Sequence, residues 1–260
     1  MKKITDYAVL SEAISRHFGR TTVTNCFIDR QSYDAEIASG TLFIHEYDGG
    51  LYIIKQRDGY AILYFYLDSP DSVIDPILEN TVIEIPFRER DEGLKSVAQR
   101  FENNGMTKLF SRVRLMKLAE PTEYSDEHIS VAIETDSDEI ADLLYKSFDR
   151  LTGCLPSRDV FDEDIHNGNI LVYRDGGKVI GLLHLKNDKA TTEICHLAVD
   201  ENYRGQGIAS SLVKSYLSDK KGRARVWVRE DYTDARRVYE NNGYLPDGMK
   251  STVLIKQSEV

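Results

Sequence analysis

Residues 192–210, TEICHLAVDENYRGQGIAS, constrain this chain more than any other stretch. The apolar run from Ile194 to Val199 reads as a strand, and it enters a short polar turn. An amphipathic helix carrying Ile208, Leu212, Val213, Tyr216 and Leu217 follows at once. Around the junction stand Arg204, Gly205, Gln206, Gly207, Ile208, Ala209 and Ser210. The first turn of a helix presents unpaired N–H groups and the positive end of its dipole, and glycine lets an anion approach the backbone closely. Strand, glycine turn and helix in succession therefore read as a phosphate cradle. The alternative is an ordinary tight βα connection.

Two familiar cradles are excluded by residue type. A P-loop needs G-x-x-x-x-G-K-[ST], and no Lys-Ser/Thr follows Gly207. The dinucleotide fingerprint needs a third glycine where this chain has Ser210. The segment instead resembles the pyrophosphate-binding motif [QR]-x-x-G-x-[GA] of the GNAT superfamily of acyl-CoA N-acyltransferases, here Arg204, Gly207 and Ala209. The lead-in LAVDENYRGQGIASSL and the later ARRVYENNGY (Ala235 to Tyr244) are similar to that family as well. The resemblance covers roughly residues 127–256 and implies an α+β fold, an α/β/α-layered mixed sheet.

Composition sets the class. At 260 residues, 41% hydrophobic and 29% charged, the chain has length for one large or two ordinary domains and apolar mass for real cores. No run approaches the ~18 apolar residues of a membrane span. Asp6 and Glu12 interrupt the start of the chain, against a signal peptide. Cys26, Cys154 and Cys195 form neither a CxxC pair nor a disulfide framework, so a reducing cytoplasm is the expected location. The formal charge of −10 argues against non-specific nucleic-acid binding and fits either a cationic partner or simple solubility.

Along the chain, the polar, aperiodic segment Leu118–His128 with Pro121 reads as a boundary, giving expected domains 1–120 and 127–260. Beyond it the pattern predicts a strand over 129–133, a helix capped within Asp136–Asp138 with Ile140, Leu143, Leu144 and Phe148 on one face, a helix over 158–166, and a hairpin of 170–173 with 179–185. The strand 192–199, the helix from Ile208, a strand over 224–228, a helix over 233–241 and a strand over 251–256 complete it.

The first half echoes the second. Phe101-Glu-Asn-Asn-Gly-Met106 mirrors Tyr239-Glu-Asn-Asn-Gly-Tyr244, and Arg57-Asp58-Gly59 mirrors Arg174-Asp175-Gly176. Where a cradle belongs, the first half has Asp68-Ser-Pro-Asp-Ser-Val-Ile-Asp-Pro76, with no glycine and three carboxylates. The expectation is two GNAT-like domains in tandem, the first degenerate and without a cofactor loop. The alternative is a chance match and an unrelated α+β domain.

The resemblance implies acetyl-CoA as acyl donor, no metal, and an acetyl group passed to a primary amine of a small molecule or peptide by direct attack. Backbone groups of Leu197, Ala198 and Val199 would pair with pantetheine, and the amides from Gly205 to Ser210 would face the pyrophosphate with Arg204 as charge partner. An alkyl amine of pKa ~10.4 is only about one part in a thousand neutral at cytosolic pH, so a base is valuable. Glu193 is the candidate. Simple alternation puts it on one face with Cys195, Leu197 and Val199, although a bulge would re-aim part of that set. The alternative is a carboxylate facing solvent or pairing with a lysine. His184 and His196 stand in reserve. Tyr239 matches the residue that hydrogen-bonds the departing sulfur, or else packs against Val238 and Tyr244; Phe101 lacks its hydroxyl.

The sequence departs from the family at Tyr232, where an Asn often contacts the cofactor. Thr233 or Asp234 then serves as a helix cap. The run Lys220–Arg225 reads as a ribose-phosphate contact or a solvated turn. Asp149, Asp159, Asp162, Glu163 and Asp164 hint at a cationic acceptor or simply make an acidic helix. Expected partners are the amine acceptor and a second copy of the chain as a homodimer, with no nucleic acid and no membrane. A non-catalytic acyl-CoA sensor is the rival function.

Overall fold

A computed structural model describes residues 1–28, 30–188, 191–218 and 220–257. In chain order the first elements are β1 (Lys2–Lys3), α1 (Tyr7–His17), β2 (Val23–Thr24), α2 (Arg30–Ala38), β3 (Leu42–Tyr47), β4 (Gly50–Arg57), β5 (Tyr60–Leu67), β6 (Thr81–Arg88), α3 (Glu92–Asn103) and β7 (Thr107–Ala119). There follow β8 (Ile129–Val131), α4 (Ser137–Ser147), α5 (Arg158–His166), β9 (Ile170–Asp175), β10 (Lys178–Asp188), β11 (Thr191–Val199), α6 (Ile208–Ser218), β12 (Gly222–Arg229), α7 (Thr233–Asn241) and β13 (Leu245–Lys256). Among the described residues no helix is long and apolar enough to cross a membrane.

The chain divides into two units, one of Met1–Arg112 together with the residues from Met249 onward, the other Val113–Gly248. This differs from the expected break at Leu118–His128. Thr107–Ala119 is one uninterrupted strand, so the division falls inside β7. The last strand belongs to the first unit, because Met249–Lys256 pairs antiparallel with Arg88–Thr81 of β6. No composition change marks either crossing.

In unit 1 the strand order is β1-β3-β4-β5-β6-β13. One face packs on α3 through Phe65, Ile83, Val97, Phe101 and Leu254, and the other packs on α1 and α2 through Leu10, Tyr33, Leu51 and Ile53. β5 and β6 run parallel but pair only at Ala61↔Thr81 and Ile62↔Val82, then diverge. The gap is filled by the chain itself. β2 pairs with β5 at Val23↔Leu67 and Thr24↔Tyr66. The next residue, buried Asn25, donates through Nδ2 to Leu63 O (3.2 Å) and Glu84 O (2.9 Å) and accepts Phe65 N–H (2.7 Å).

Unit 2 has strand order β7-β12-β11-β10-β9-β8. α6 and α7 cover one face, with Ile194, Ile208, Leu212, Val226 and Tyr244 between the layers; α4 and α5 cover the other, with Ile140, Leu144, Phe161, Val172 and Ala198. This is the expected α/β/α layering around a mixed sheet. Gly181 lets α6 close on β10, since a Cβ there would stand 3.0 Å from Ile208 Cγ2.

The repeat is structural at the helix ends. Gly105 (φ +88) and Gly243 (φ +80) take the left-handed conformation after α3 and α7. Met106 N bonds to Phe101 O as Tyr244 N bonds to Tyr239 O. The hairpin correspondence, in contrast, is one strand out of step. Arg57-Asp58-Gly59 joins β4 to β5, whereas Asp175 lies between β9 and β10, whose counterparts in unit 1 are β3 and β4. Unit 1 therefore keeps a counterpart of β11, namely β5. What it lacks, among the described residues, is a helix corresponding to α6 between β5 and β6.

Candidate active site

The site is a gap between two strands and the turn at its end. β11 and β12 pair in parallel from Thr191↔Arg223 to Ile194↔Val226, and beyond Ile194 no pairing continues among the described residues. The edge of β11 from Cys195 to Val199 thus faces an opening. This stretch holds Leu197, Ala198 and Val199, the three residues expected to pair with pantetheine.

The turn after β11 has two left-handed glycines. Gly205 (φ +77) and Gly207 (φ +85) both adopt values open to glycine and costly to other residues, and nothing lies within 4 Å of where a Cβ would stand on either. The first hydrogen bond of α6 runs from Ser211 N to Gly207 O (3.0 Å), so the amides of Ile208, Ala209 and Ser210 precede the helical ladder. Gly205, Gln206 and Gly207 are exposed. Arg204 is exposed too and donates from Nε to Val199 O (3.2 Å), linking the turn to the end of the strand. Asn242, not among the expected site residues, bonds from Nδ2 to Ser210 Oγ (3.1 Å) and Val238 O (2.7 Å), tying the start of α6 to the end of α7. Its place in the ENNG repeat was the available signal.

A bulge re-aims the strand's side chains. His184 pairs with His196 but Leu185 pairs with Ile194, so Cys195 is the extra residue. Ile194, Leu197 and Val199 then pack toward α6, while Ala198 packs toward α4 and α5. Glu193, alternating with Ile194, sits on the side opposite Leu197 and Val199, which corrects the single-face expectation. Its carboxylate accepts Arg225 Nε at 2.5 Å, with a quarter of the side chain exposed. The carboxylate therefore meets an arginine rather than a lysine. Burial, helped by the charge of Glu193, pushes the Cys195 thiol up to about 12, leaving it protonated.

The two reserve histidines are occupied. His184 Nδ1 meets His196 Nδ1 at 3.1 Å, His184 Nε2 meets Asp164 Oδ2 at 2.9 Å, and His196 Nε2 meets Gly153 O at 2.8 Å. All four ring nitrogens are committed inside the protein, so neither ring offers a free lone pair to an amine. Burial lowers the pKa of His196 to about 4.

Tyr239 lies on α7 with its ring edge against Tyr244, centroids 5.8 Å apart, and burial raises its pKa. Among the described residues its hydroxyl makes no hydrogen bond. Tyr232 is half exposed under the Arg229 guanidinium, 4.2 Å from the ring centroid, and Arg229 is held by Asp231. Neither Thr233 nor Asp234 caps α7, whose N-cap position is Tyr232 with no side-chain bond. The basic run feeds β12, with Arg225 spent on Glu193. Most of the acidic cluster is structural: Asp149 closes its own turn on Leu151 and Thr152, Asp162 binds Ser137 and Arg158, and Asp164 binds His184 and Asn169. Asp159 and Glu163 are exposed on α5.

A family model described as the acetyltransferase (GNAT) family matches residues 137–244. These residues are similar to that family. The match spans α4 through α7 and the turn after it, and contains the splayed strands, the glycine turn, Glu193 and Tyr239. Solved structures extend the likeness across both units. A GCN5-related N-acetyltransferase from Sphaerobacter thermophilus is 12% identical with a TM-score of 0.60, over 94% of this chain and 98% of that one. A GNAT-family acetyltransferase from Colwellia psychrerythraea is 12% identical with a TM-score of 0.59, over 99% of both chains. A GCN5-related N-acetyltransferase from Kribbella flavida is 12% identical with a TM-score of 0.52, over 90% of this chain and 98% of that one. At such identities the likeness is one of fold. No curated protein matches the chain.

Proposed function

We propose that unit 2 is an acetyl-CoA-dependent N-acetyltransferase acting on a primary amine of a small molecule or peptide. The observation that carries the reading is the open cradle beside a splayed strand pair. Free first-turn amides and two left-handed glycines suit a pyrophosphate. The unpaired edge of Cys195–Val199 suits an extended amide-bearing arm, which would add to the sheet like a further strand. Leu197, Ala198 and Val199 would hold that arm, and Arg204 through Ser210 the phosphates.

In the transfer, the amine nitrogen forms a bond to the thioester carbonyl carbon, the C–S bond breaks, and the amine proton leaves to a base while the sulfur departs as thiolate. Tyr239 donates a hydrogen bond to that thiolate. Its raised pKa suits this role, because a buried phenol keeps its proton throughout the physiological range. Glu193 accepts the amine proton, with Arg225 fixing the carboxylate. Burial keeps Cys195 a thiol, which speaks against a covalent acyl-cysteine route.

The rival reading, an acyl-CoA sensor without turnover, draws on the Glu193–Arg225 bond, which occupies the candidate base. Thiol release from acetyl-CoA across a panel of primary amines separates the two. Turnover that falls on Glu193→Gln and Tyr239→Phe supports the transferase, whereas binding without turnover across the panel supports the sensor.

A further inference from the structure

The buried chain Asp164–His184–His196–Gly153 is a polar assembly of unit 2 that the transfer does not use. It joins four elements: α5 (Asp164), β10 (His184), β11 (His196) and the loop between α4 and α5 (Gly153). Both imidazoles are at most 5% exposed and lie nearly parallel, with centroids 5.3 Å apart. Phe148 and Phe161 close on their edges. Burying so much polarity is tolerated only if every group is satisfied.

The hydrogen bonds dictate the protons. Gly153 O is an acceptor, so His196 must carry its proton on Nε2. His196 Nδ1 is then an acceptor, and His184 must donate from Nδ1. The last proton lies between His184 Nε2 and Asp164. Adding a proton to His196 Nδ1 would set two N–H groups against each other.

The position of the far end gives the assembly a purpose. His196 stands one residue beyond the bulge, within the stretch of β11 that β12 leaves open. Its partner carbonyl belongs to a turn that is already tight. Gly153 N bonds to Asp149 O at 2.7 Å, a Cβ on Gly153 would stand 2.4 Å from that oxygen, and Cys154 follows at φ +52. The loop from Asp149 to Leu155 is thereby pinned against the strand edge where the thioester would lie.

We propose that His196, backed by His184 and Asp164, is a positioning residue that fixes the α4–α5 loop beside the open edge of β11 and so shapes the acceptor's approach. The pinning stands on the geometry alone; the acceptor role rests on the transferase reading. The test uses the full chain. Long-range ¹H–¹⁵N correlation spectra at pH 7 should show His196 neutral with its proton on Nε2, and His184 protonated on Nδ1. Amide exchange of a peptide covering 149–157 should quicken roughly five- to tenfold in His196→Leu, as expected for loss of one buried bond. It should return toward wild type in His196→Gln, which keeps a donor for Gly153 O. A His196 proton on Nδ1, or a loop exchanging equally in all three proteins, overturns the proposal. If His196→Leu does not fold, the spectra and the Gln variant decide. Acetyl-CoA affinity is measured on the same samples: its absence in the wild type removes the transferase reading without touching the exchange result.

Discussion

Replacing Tyr239 by Phe separates chemistry from packing, because unit 1 already contains the control. Phe101 occupies the corresponding place at the end of α3, fully buried and above the same glycine turn. The cavity at Tyr239 should accept Phe in the same way. Its hydroxyl has no hydrogen-bond partner among the described residues, so removal breaks no internal bond. The stability change should stay within ~1 kcal/mol of zero, because no internal hydrogen bond is lost and the ring packing is kept. For a protein of this size that is a shift of at most ~4 °C in melting temperature. The catalytic loss is larger. A hydrogen bond to a charged acceptor contributes about 1.5–3 kcal/mol, so kcat should fall roughly 10- to 150-fold. The assay is thiol release at saturating acetyl-CoA with the best amine of the panel, alongside a thermal melt. Because burial raises the phenol's pKa, wild-type activity should show no decline from loss of this proton up to pH ~10. A kcat within twofold of wild type, or a melting temperature lowered by more than ~5 °C, would refute the reasoning and leave Tyr239 a packing residue.

Gly207→Ala should cost ~1–2 kcal/mol of backbone strain at φ +85 and weaken CoA binding at least about tenfold by calorimetry, since it turns the cradle amides. Unchanged affinity would contradict the cradle. Asn25→Ala strips partners from Leu63 O, Phe65 N and Glu84 O and should destabilise unit 1 by ~2–4 kcal/mol in denaturant melts, with the CoA affinity of unit 2 intact. The pKa of His196, lowered in the folded state to about 4, makes the unfolded chain bind more protons between the two values, so stability falls as pH drops from ~6.5 toward 4. From pH 7 to 5 this one residue should remove about 2 kcal/mol, visible as a smaller pH dependence in His196→Gln.

The glycine turn before α6 was legible because its signals are local: glycine at two left-handed positions and a helix beginning immediately after them. α5 and α7 were also readable to the residue from their periodicity, as was the shared ENNG helix ending. The rest depended on pairing that no local pattern encodes. One extra residue at Cys195 reverses the side on which Glu193 emerges, and strand alternation holds only between bulges. His184 and His196 meet because β10 and β11 share a register, which their spacing in sequence does not reveal. The last strand was expected only over 251–256 and no strand was expected over β7, and the division falls inside both with no break in composition to mark it. The hairpin echo misled because short turns rich in Asp and Gly recur wherever two antiparallel strands join.

The plugging of unit 1 by Asn25 and β2 has a thermodynamic consequence. An occupant tethered by the backbone cannot be diluted away, so the first unit owes nothing to ligand supply. A dissociable ligand stabilises by mass action, about 2.7 kcal/mol at a hundredfold excess over Kd. Added CoA should therefore raise the melting of the second unit and leave the intrinsic stability of the first where it stands.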